Sequence, residues 1–300
     1  AKVYTVDSDF SIAEAFAVKN GKILRTGSSE LILSEFETDL YIDAGEKTIY
    51  PGFFDAHCHF TGYGLNKLSY AELAGTESFE EILGILINHN ITNNPDWILG
   101  RGWDQNDWTN KEFPTNQKLN ELFPDKPVML LRIDGHAAIV NDVALQLAKV
   151  NAKTTIDGGE ILRKNNIPTG VLIDNAISLV RKLVEKPGRD DIRKALLISQ
   201  RDCVKLGLTS VADAGVDLFE IQIMDSLQNS NELKMRIYAM ISPGKKNLRY
   251  FEENGPIVTD MLSARSIKLY ADGALGSRGA KMLKPYSDDP DKHGLKMEPD

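Results

Sequence analysis

The sequence predicts an α/β fold, consisting of the first half of a parallel (β/α)8 barrel preceded by a small β unit. From Pro51 onward, strand-like apolar segments alternate with helical patterns, which is typical of parallel sheets and barrels. Residues 1–50 instead contain only short strands and tight turns. We therefore expect residues 1–50 to be the N-terminal part of a small β-sandwich domain and residues 51–300 to be the incomplete barrel.

The composition is that of an ordinary globular protein, with 300 residues, 42% hydrophobic and 26% charged. The net charge is −8 and no Lys/Arg-rich block is present, which predicts neither a nucleic-acid nor an anionic-membrane partner. No apolar run approaches the roughly 18 residues of a spanning helix. Two cysteines give no disulfide framework. These features favour a cytoplasmic location, and a leader removed before Ala1 is the alternative.

The N-terminal unit contains one strong turn signal. Asn20 and Gly21 separate the strand-like segments Ala13–Val18 and Lys22–Arg25, and Asn-Gly in this position predicts a β-hairpin. Leu40–Asp43 is predicted to be a further strand.

The barrel part contains both helix and strand signals. Ser78 and Glu81 form a capping-box pattern before an apolar-periodic run, and Gly207 is placed to end a helix over Asp190–Leu206. A long stretch from about 65 to 186 reads as an insertion. The predicted strands are Phe53–Phe60, Val128–Ile133, Leu208–Asp213, Met235–Ile241 and Ile267–Asp272. Of these, Val128–Ile133 falls within the insertion and outside the barrel count.

A His-x-His pattern lies on the first predicted barrel strand. Because alternate strand residues share a face, Asp55, His57 and His59 are predicted to point inward, while Cys58 packs outward. Two such imidazoles can bind one divalent ion, with Asp55 orienting a ligand. The alternative is a pair of structural histidines in a polar interior.

The last predicted strand places Lys268 and Asp272 on its inward face. A buried lysine is costly unless it is paired or chemically altered, so Lys268 is a candidate metal ligand and Asp272 a candidate catalytic residue. The alternative is a structural ion pair between the two side chains.

The segment from Pro51 to His59 resembles the first barrel strand of the amidohydrolase superfamily. Further segments resemble amidohydrolase family 3, which includes N-substituted formamide deformylase-like enzymes, and they occur in the expected order. They are Gly100–Gln105, Asp134–His136, Gly158–Glu160, Thr169–Leu172 and Lys268–Ala280. The resemblance implies a TIM-like barrel with one or two divalent ions, most often zinc, at the C-terminal ends of its strands.

The resemblance also implies hydrolysis of a C–N bond of an amide-type small molecule by metal-activated water. Lys268 would then lie on strand 4, where a carbamate on the lysine bridges two metals in several members. The remaining ligands, on strands 5, 6 and 8, are expected beyond Asp300. A ring deaminase and a catalytically inactive barrel with a binding or regulatory role are the alternatives, and the sequence is compatible with a homodimer.

Four weaker candidates complete the predicted site. His136 matches a histidine near the substrate, although a helical pattern over Ala137–Lys149 also suits a histidine in a first helical turn. Trp103 and Asp104 are candidate substrate-binding residues or loop anchors. Arg278 is a candidate partner for a substrate carboxylate or an ordinary surface arginine.

Overall fold

The structure is a computed structural model, which describes residues 1–272, 280–287, 290–291 and 293–294. Its N-terminal unit consists of two small sheets and one helix. The three-stranded sheet has the order β2-β1-β5, and β3 pairs with β4. The elements are β1 (Lys2–Tyr4), β2 (Ile12–Ala13), β3 (Ala15–Lys19), β4 (Lys22–Gly27), α1 (Ser29–Glu35) and β5 (Thr48–Ile49).

The β3–β4 hairpin confirms the Asn-Gly prediction. Asn20 and Gly21 have φ values of 53° and 73°, and positive φ at both central residues defines the type I′ turn that suits twisted strands. The predicted strand over Leu40–Asp43 is wrong. The side chains of Leu40, Tyr41 and Ile42 are exposed, and no described strand pairs with this segment.

The next elements are β6 (Phe53–Cys58) and α2 (Phe60–Ser69), followed by a six-stranded sheet with the order β11-β12-β10-β9-β8-β7. This sheet lies within the stretch predicted as an insertion. Its strands are β7 (Tyr70–Glu72), β8 (Ile98–Trp103), β9 (Val128–Arg132), β10 (Ala137–Val140), β11 (Gly159–Lys164) and β12 (Ile167–Asp174). Its helices are α3 (Phe79–Asn93), α4 (Gln117–Leu122), α5 (Asp142–Leu147) and α6 (Ser178–Arg181).

Two predictions for this region have opposite outcomes. The helix after Ser78 is confirmed, and the Ser78 hydroxyl accepts a hydrogen bond from the Glu81 N–H at 3.2 Å. The helix over Ala137–Lys149 is wrong, because Ala137–Val140 is a buried strand between β9 and β12. The helix α5 begins only at Asp142.

A parallel sheet is formed by β6 and three later strands, in the order β6-β13-β14-β16. This order follows the chain, as expected for the first half of a barrel. The short β15 pairs antiparallel with β16. The elements are α7 (Arg189–Lys205), β13 (Leu208–Val216), α8 (Leu218–Asn229), β14 (Arg236–Ile241), α9 (Lys245–Asn254), β15 (Ile257–Val258) and β16 (Leu262–Ile267). Gly207 ends α7 with a φ of 80°, as predicted.

The last strand lies five residues earlier than the predicted Ile267–Asp272. Leu262 and Ala264 are buried in the core beneath the helices, and beyond Ile267 the Lys268 N–H still bonds the Ile241 carbonyl at 2.9 Å. Since β14 ends at Ile241, no further partner residues of β14 continue the ladder.

The helices α2 and α7 cross closely over β6 and β13. A Cβ atom at Gly64 of α2 would lie 2.0 Å from the Ala195 carbonyl oxygen of α7, so only glycine permits this approach. None of the described helices combines the length and apolar character needed to cross a bilayer.

Candidate metal centre

The His59 ring is held by the neighbouring strand. Its Nδ1 atom lies 3.0 Å from the Ala214 carbonyl oxygen of β13. Because a carbonyl can only accept a hydrogen bond, Nδ1 carries the proton. The neutral ring therefore keeps a free lone pair on Nε2, the form in which histidine binds metals.

The His57 ring lies next to that of His59. The two ring centroids are 5.8 Å apart and the planes meet at 87°. The imidazoles are thus neither splayed apart nor separated by the strand. With metal–nitrogen bonds of about 2.0–2.1 Å for zinc, rings at this spacing can reach a common ion.

Asp213 fixes the start of the helix after His59, and the sequence did not predict this role. It is 2% exposed and accepts hydrogen bonds from the Phe60 N–H (2.9 Å), the Thr61 N–H (3.0 Å) and the Thr61 hydroxyl (2.8 Å). Burial raises the pKa of Asp213, and the bonds from Thr61 and Phe60 oppose that rise. Its only sequence signal is an acidic residue at the end of a predicted buried strand.

The strand β6 does not alternate regularly. Val211 pairs with Asp55 and Asp213 pairs with Cys58, so two residues of β13 span three of β6, as in a β-bulge. Val211 belongs to the core under the helices, and Asp55 as its partner points the same way. The prediction that Asp55 shares a face with His57 is therefore wrong.

Asp55, Cys58 and Cys203 line one cavity of about 1260 Å³ beside α2 and α7. Burial, followed by the charges of Asp213 and Asp55, raises the pKa of Cys58 to about 12. Cys58 is therefore a thiol rather than a thiolate at neutral pH, which disfavours metal binding. This agrees with its predicted packing against the core.

Lys268 directly follows the fourth parallel strand. It therefore lies at the same carboxyl edge of the sheet as the two histidines, because His57 is near the end of β6 and His59 directly follows that strand. Its ammonium is 5.2 Å from the Tyr270 ring centroid, whereas the Asp272 carboxylate accepts the Lys281 N–H at 2.9 Å. The predicted alternative, an ion pair between Lys268 and Asp272, is not among the ion pairs of the described residues.

Histidine, cysteine and acidic side chains alone do not complete a metal site in the part of the chain that the structure describes. No group of three or more such residues there is arranged to hold an ion. The two histidines thus depend on further ligands, and Lys268 is the candidate that the sheet places at their edge.

Trp103 and Asp104 have structural roles in the insertion. Trp103 is fully buried, and its Nε1–H donates to the Leu130 carbonyl at 2.9 Å, which is the arrangement expected of a loop anchor. Asp104 forms an ion pair with Arg132 at 2.7 Å. Arg278 lies outside the described residues.

His136 precedes β10, so its predicted alternative place in a first helical turn is wrong. Its Nδ1 atom is 2.8 Å from a carboxylate oxygen of Asp174, and both side chains are 50% exposed. The dyad of His136 and Asp174 belongs to the insertion sheet rather than to the parallel strands.

Comparisons with known proteins agree with this arrangement. A model of the amidohydrolase family matches residues 41–300. YtcJ of Bacillus subtilis is 30% identical over 99% of this chain and 58% of its own length. The N-substituted formamide deformylase of Arthrobacter pascens is 30% identical over 72% of this chain and 42% of its own.

A solved structure also matches nearly the whole chain. The crystal structure of an uncharacterized metal-dependent hydrolase from Pyrococcus horikoshii superimposes with a TM-score of 0.76 and 27% identity. The match covers 99% of this chain and 59% of that one. The matched segments thus span about two-fifths to three-fifths of the length of these relatives.

Proposed function

This chain belongs to the amidohydrolase family, and we propose that it is the N-terminal part of a metal-dependent hydrolase that cleaves an amide-type C–N bond with metal-activated water. The observation that carries the proposal is the hydrogen bond from His59 to Ala214, because it frees Nε2 beside the His57 ring. The substrate class is supported by the similarity to the N-substituted formamide deformylase of Arthrobacter pascens.

His57, His59 and Lys268 would hold the ion, with zinc as the favoured metal, and one or two ions are compatible with the proposal. The residues fit this role, since the imidazoles lie together and Lys268 directly follows a strand of the same sheet. A bound divalent ion would lower the pKa of water towards about 7 and polarise the substrate carbonyl.

The chain's own residues supply orientation and proton acceptors. Asp213 anchors the turn between His59 and α2. His136 is proposed to act next to the substrate. Asp272 is proposed as a further catalytic residue at the carboxyl edge of the sheet.

Zinc titration tests the centre directly. We expect the wild-type chain to bind zinc in calorimetry, and His57→Ala and His59→Ala each to weaken binding at least about tenfold, because each removes a direct ligand. His89→Ala is the matched control, since His89 lies on α3 of the insertion. Wild-type affinity in both ligand variants would contradict the proposed centre.

A carbamate on Lys268 makes a separate prediction. An uncharged lysine amine adds to carbon dioxide and releases one proton, which leaves an anionic carbamate with oxygen donors, so added bicarbonate is expected to raise zinc affinity in the wild type. Lys268→Ala is expected to abolish this bicarbonate effect. An equal effect in both proteins would exclude the carbamate as its cause.

The reaction is tested with zinc-loaded protein and an N-substituted formamide. Release of formate that is lost in His57→Ala supports the proposed hydrolase. Ammonia release from aminated ring compounds instead would favour the deaminase, and zinc binding without either reaction would favour the binding or regulatory alternative.

A further inference from the structure

His136 and Asp174 are joined at both backbone and side chain. The Asp174 N–H donates to the His136 carbonyl at 2.9 Å, which extends the β10–β12 ladder by one step. Across this step the His136 Nδ1 atom lies 2.8 Å from Asp174 Oδ1. A carboxylate can only accept, so Nδ1 carries the proton and Nε2 is left free.

The other side of His136 is held by a second carboxylate. Asp134 Oδ1 accepts the His136 backbone N–H at 3.0 Å, and Asp134 Oδ2 forms an ion pair with Arg132 at 2.5 Å. Arg132 also binds Asp104. The Asp104 and Asp134 motifs of the sequence therefore serve to fix the loop that carries His136.

Asp174 has a backbone conformation that side chains rarely adopt. Its φ is 50° and its ψ is −122°, which lies outside the left-handed α region that aspartate tolerates. Such conformations occur at functional sites when the surroundings enforce them.

Contacts with the Gly158-Gly159 pair hold the turn that follows Asp174 in place. The Asn175 N–H bonds the Gly158 carbonyl at 3.2 Å, and the Asn175 side chain donates to the Asp157 carbonyl at 2.8 Å. A Cβ atom at Gly159 would lie 2.4 Å from the Ala176 nitrogen. The two glycines thus allow β11 to press against the turn that follows Asp174.

We propose that Asp174 is a positioning residue: it fixes the orientation of His136 and the proton on Nδ1, so that Nε2 faces outward as a proton acceptor. The catalytic use of Nε2 rests on the proposed hydrolase function, whereas the tautomer and its dependence on Asp174 do not.

Nitrogen-15 NMR of the imidazoles tests the assignment at about pH 8, where ordinary histidines are neutral. We expect His136 to carry its proton on Nδ1 in the wild type. His89 is an internal reference of the opposite tautomer, because the Asn93 amide donates to its Nδ1 at 3.1 Å.

Asp174→Gly is the decisive variant, since glycine accepts the backbone conformation but has no carboxylate. We expect the His136 proton to move towards Nε2, while the midpoint of thermal unfolding rises by about 3 °C as strain is relieved. Asn166→Gly is the control, because it replaces another residue of positive φ (64°) in the turn between β11 and β12. It is expected to leave the His136 signal unchanged.

Retention of the Nδ1 proton in Asp174→Gly would overturn the proposal. If the wild type hydrolyses the formamide, an equal rate in Asp174→Gly would overturn it as well. If the wild type does not hydrolyse the formamide, the proposed function fails, and the NMR result still decides whether Asp174 sets the tautomer.

Discussion

Asp213 stabilises the candidate metal centre through hydrogen bonds rather than by contact with a ligand. Its carboxylate accepts three bonds at the start of α2, immediately after His59. Each bond joins residues about 150 positions apart in the chain, and no local pattern indicates such a partner. Asp174 is similar, because its pairing with His136 spans 38 positions. In contrast, the close approach of His57 and His59 could be predicted, because the two histidines are only two positions apart in the chain.

The buried carboxylate of Asp213 gives a stability prediction. Asp213→Asn replaces one acceptor oxygen by an amide that faces N–H donors, and we expect the free energy of unfolding to fall by about 2–3 kcal/mol. Urea denaturation measures the change. Asp39→Asn is the control at an exposed site and is expected to change stability by less than about 0.5 kcal/mol; equal effects would contradict the prediction.

Glu220 gives a pH-dependent prediction. Burial, with the charges of Asp217 and Asp213 adding to it, raises the pKa of Glu220 from 4.5 to about 7, although the Asp217 N–H opposes the shift. The folded state therefore binds this proton more tightly than the unfolded state. The resulting stability is fully present below pH 4.5 and is lost as the pH rises through 7, which amounts to roughly 3 kcal/mol.

Denaturation curves between about pH 4 and pH 8 check this prediction. Glu220→Gln keeps the size and the acceptor oxygen but cannot titrate. The wild type is expected to lose stability relative to the variant as the pH rises. A constant difference between the two proteins would show that the pKa of Glu220 is not raised by folding.

At the scale of elements, the residues that form turns and helix ends predict the element boundaries reliably. Asn20-Gly21, Ser78 and Gly207 act through their own backbone or side chain, and each marks an element boundary in the structure. Ala137–Val140 was predicted incorrectly because a short apolar segment suits both a helix and a buried strand, and only pairing with β9 and β12 decides between them. The end of β16 likewise depends on where β14 stops.

The crossing of α2 and α7 yields a matched pair of glycine substitutions. Gly64→Ala is expected to destabilise the protein by about 1–3 kcal/mol or more, because its Cβ atom would collide with the Ala195 carbonyl. Gly84→Ala on α3 is expected to stabilise by about 0.5–1 kcal/mol, because a Cβ there meets nothing within 4 Å. Thermal and urea denaturation measure both effects. Changes of the same sign would contradict the packing of α2 on α7.

The whole described chain contains distinct hydrophobic cores. One lies between the parallel sheet and its helices and includes Leu196 and Val211. Two others lie on the insertion sheet, and one of them includes Trp103 and Leu130. All three tryptophans fall within the insertion and both cysteines outside it. Tryptophan fluorescence therefore reports on unfolding of the insertion, and thiol reactivity reports on unfolding of the rest.

We expect the two probes to report different unfolding transitions, because few core residues are shared. Leu130→Ala should shift the transition seen by tryptophan fluorescence, and Leu196→Ala the one seen by thiol reactivity, each by about 2–5 kcal/mol. Superimposable transitions that both variants shift equally would show a single cooperative unit.

The irregular pairing of β6 with β13 affects how well β6 tolerates a change in its length. Because the extra residue lies between Asp55 and Cys58, deleting Ala56 would restore a regular pleat, with Asp55 still opposite Val211 and Cys58 still opposite Asp213. The Asp55 carboxylate would keep its helix-side neighbours. A single-codon deletion at this point should therefore disturb the strand less than a deletion in its regularly paired part, where the side chains on one side of the deletion would turn to the opposite face.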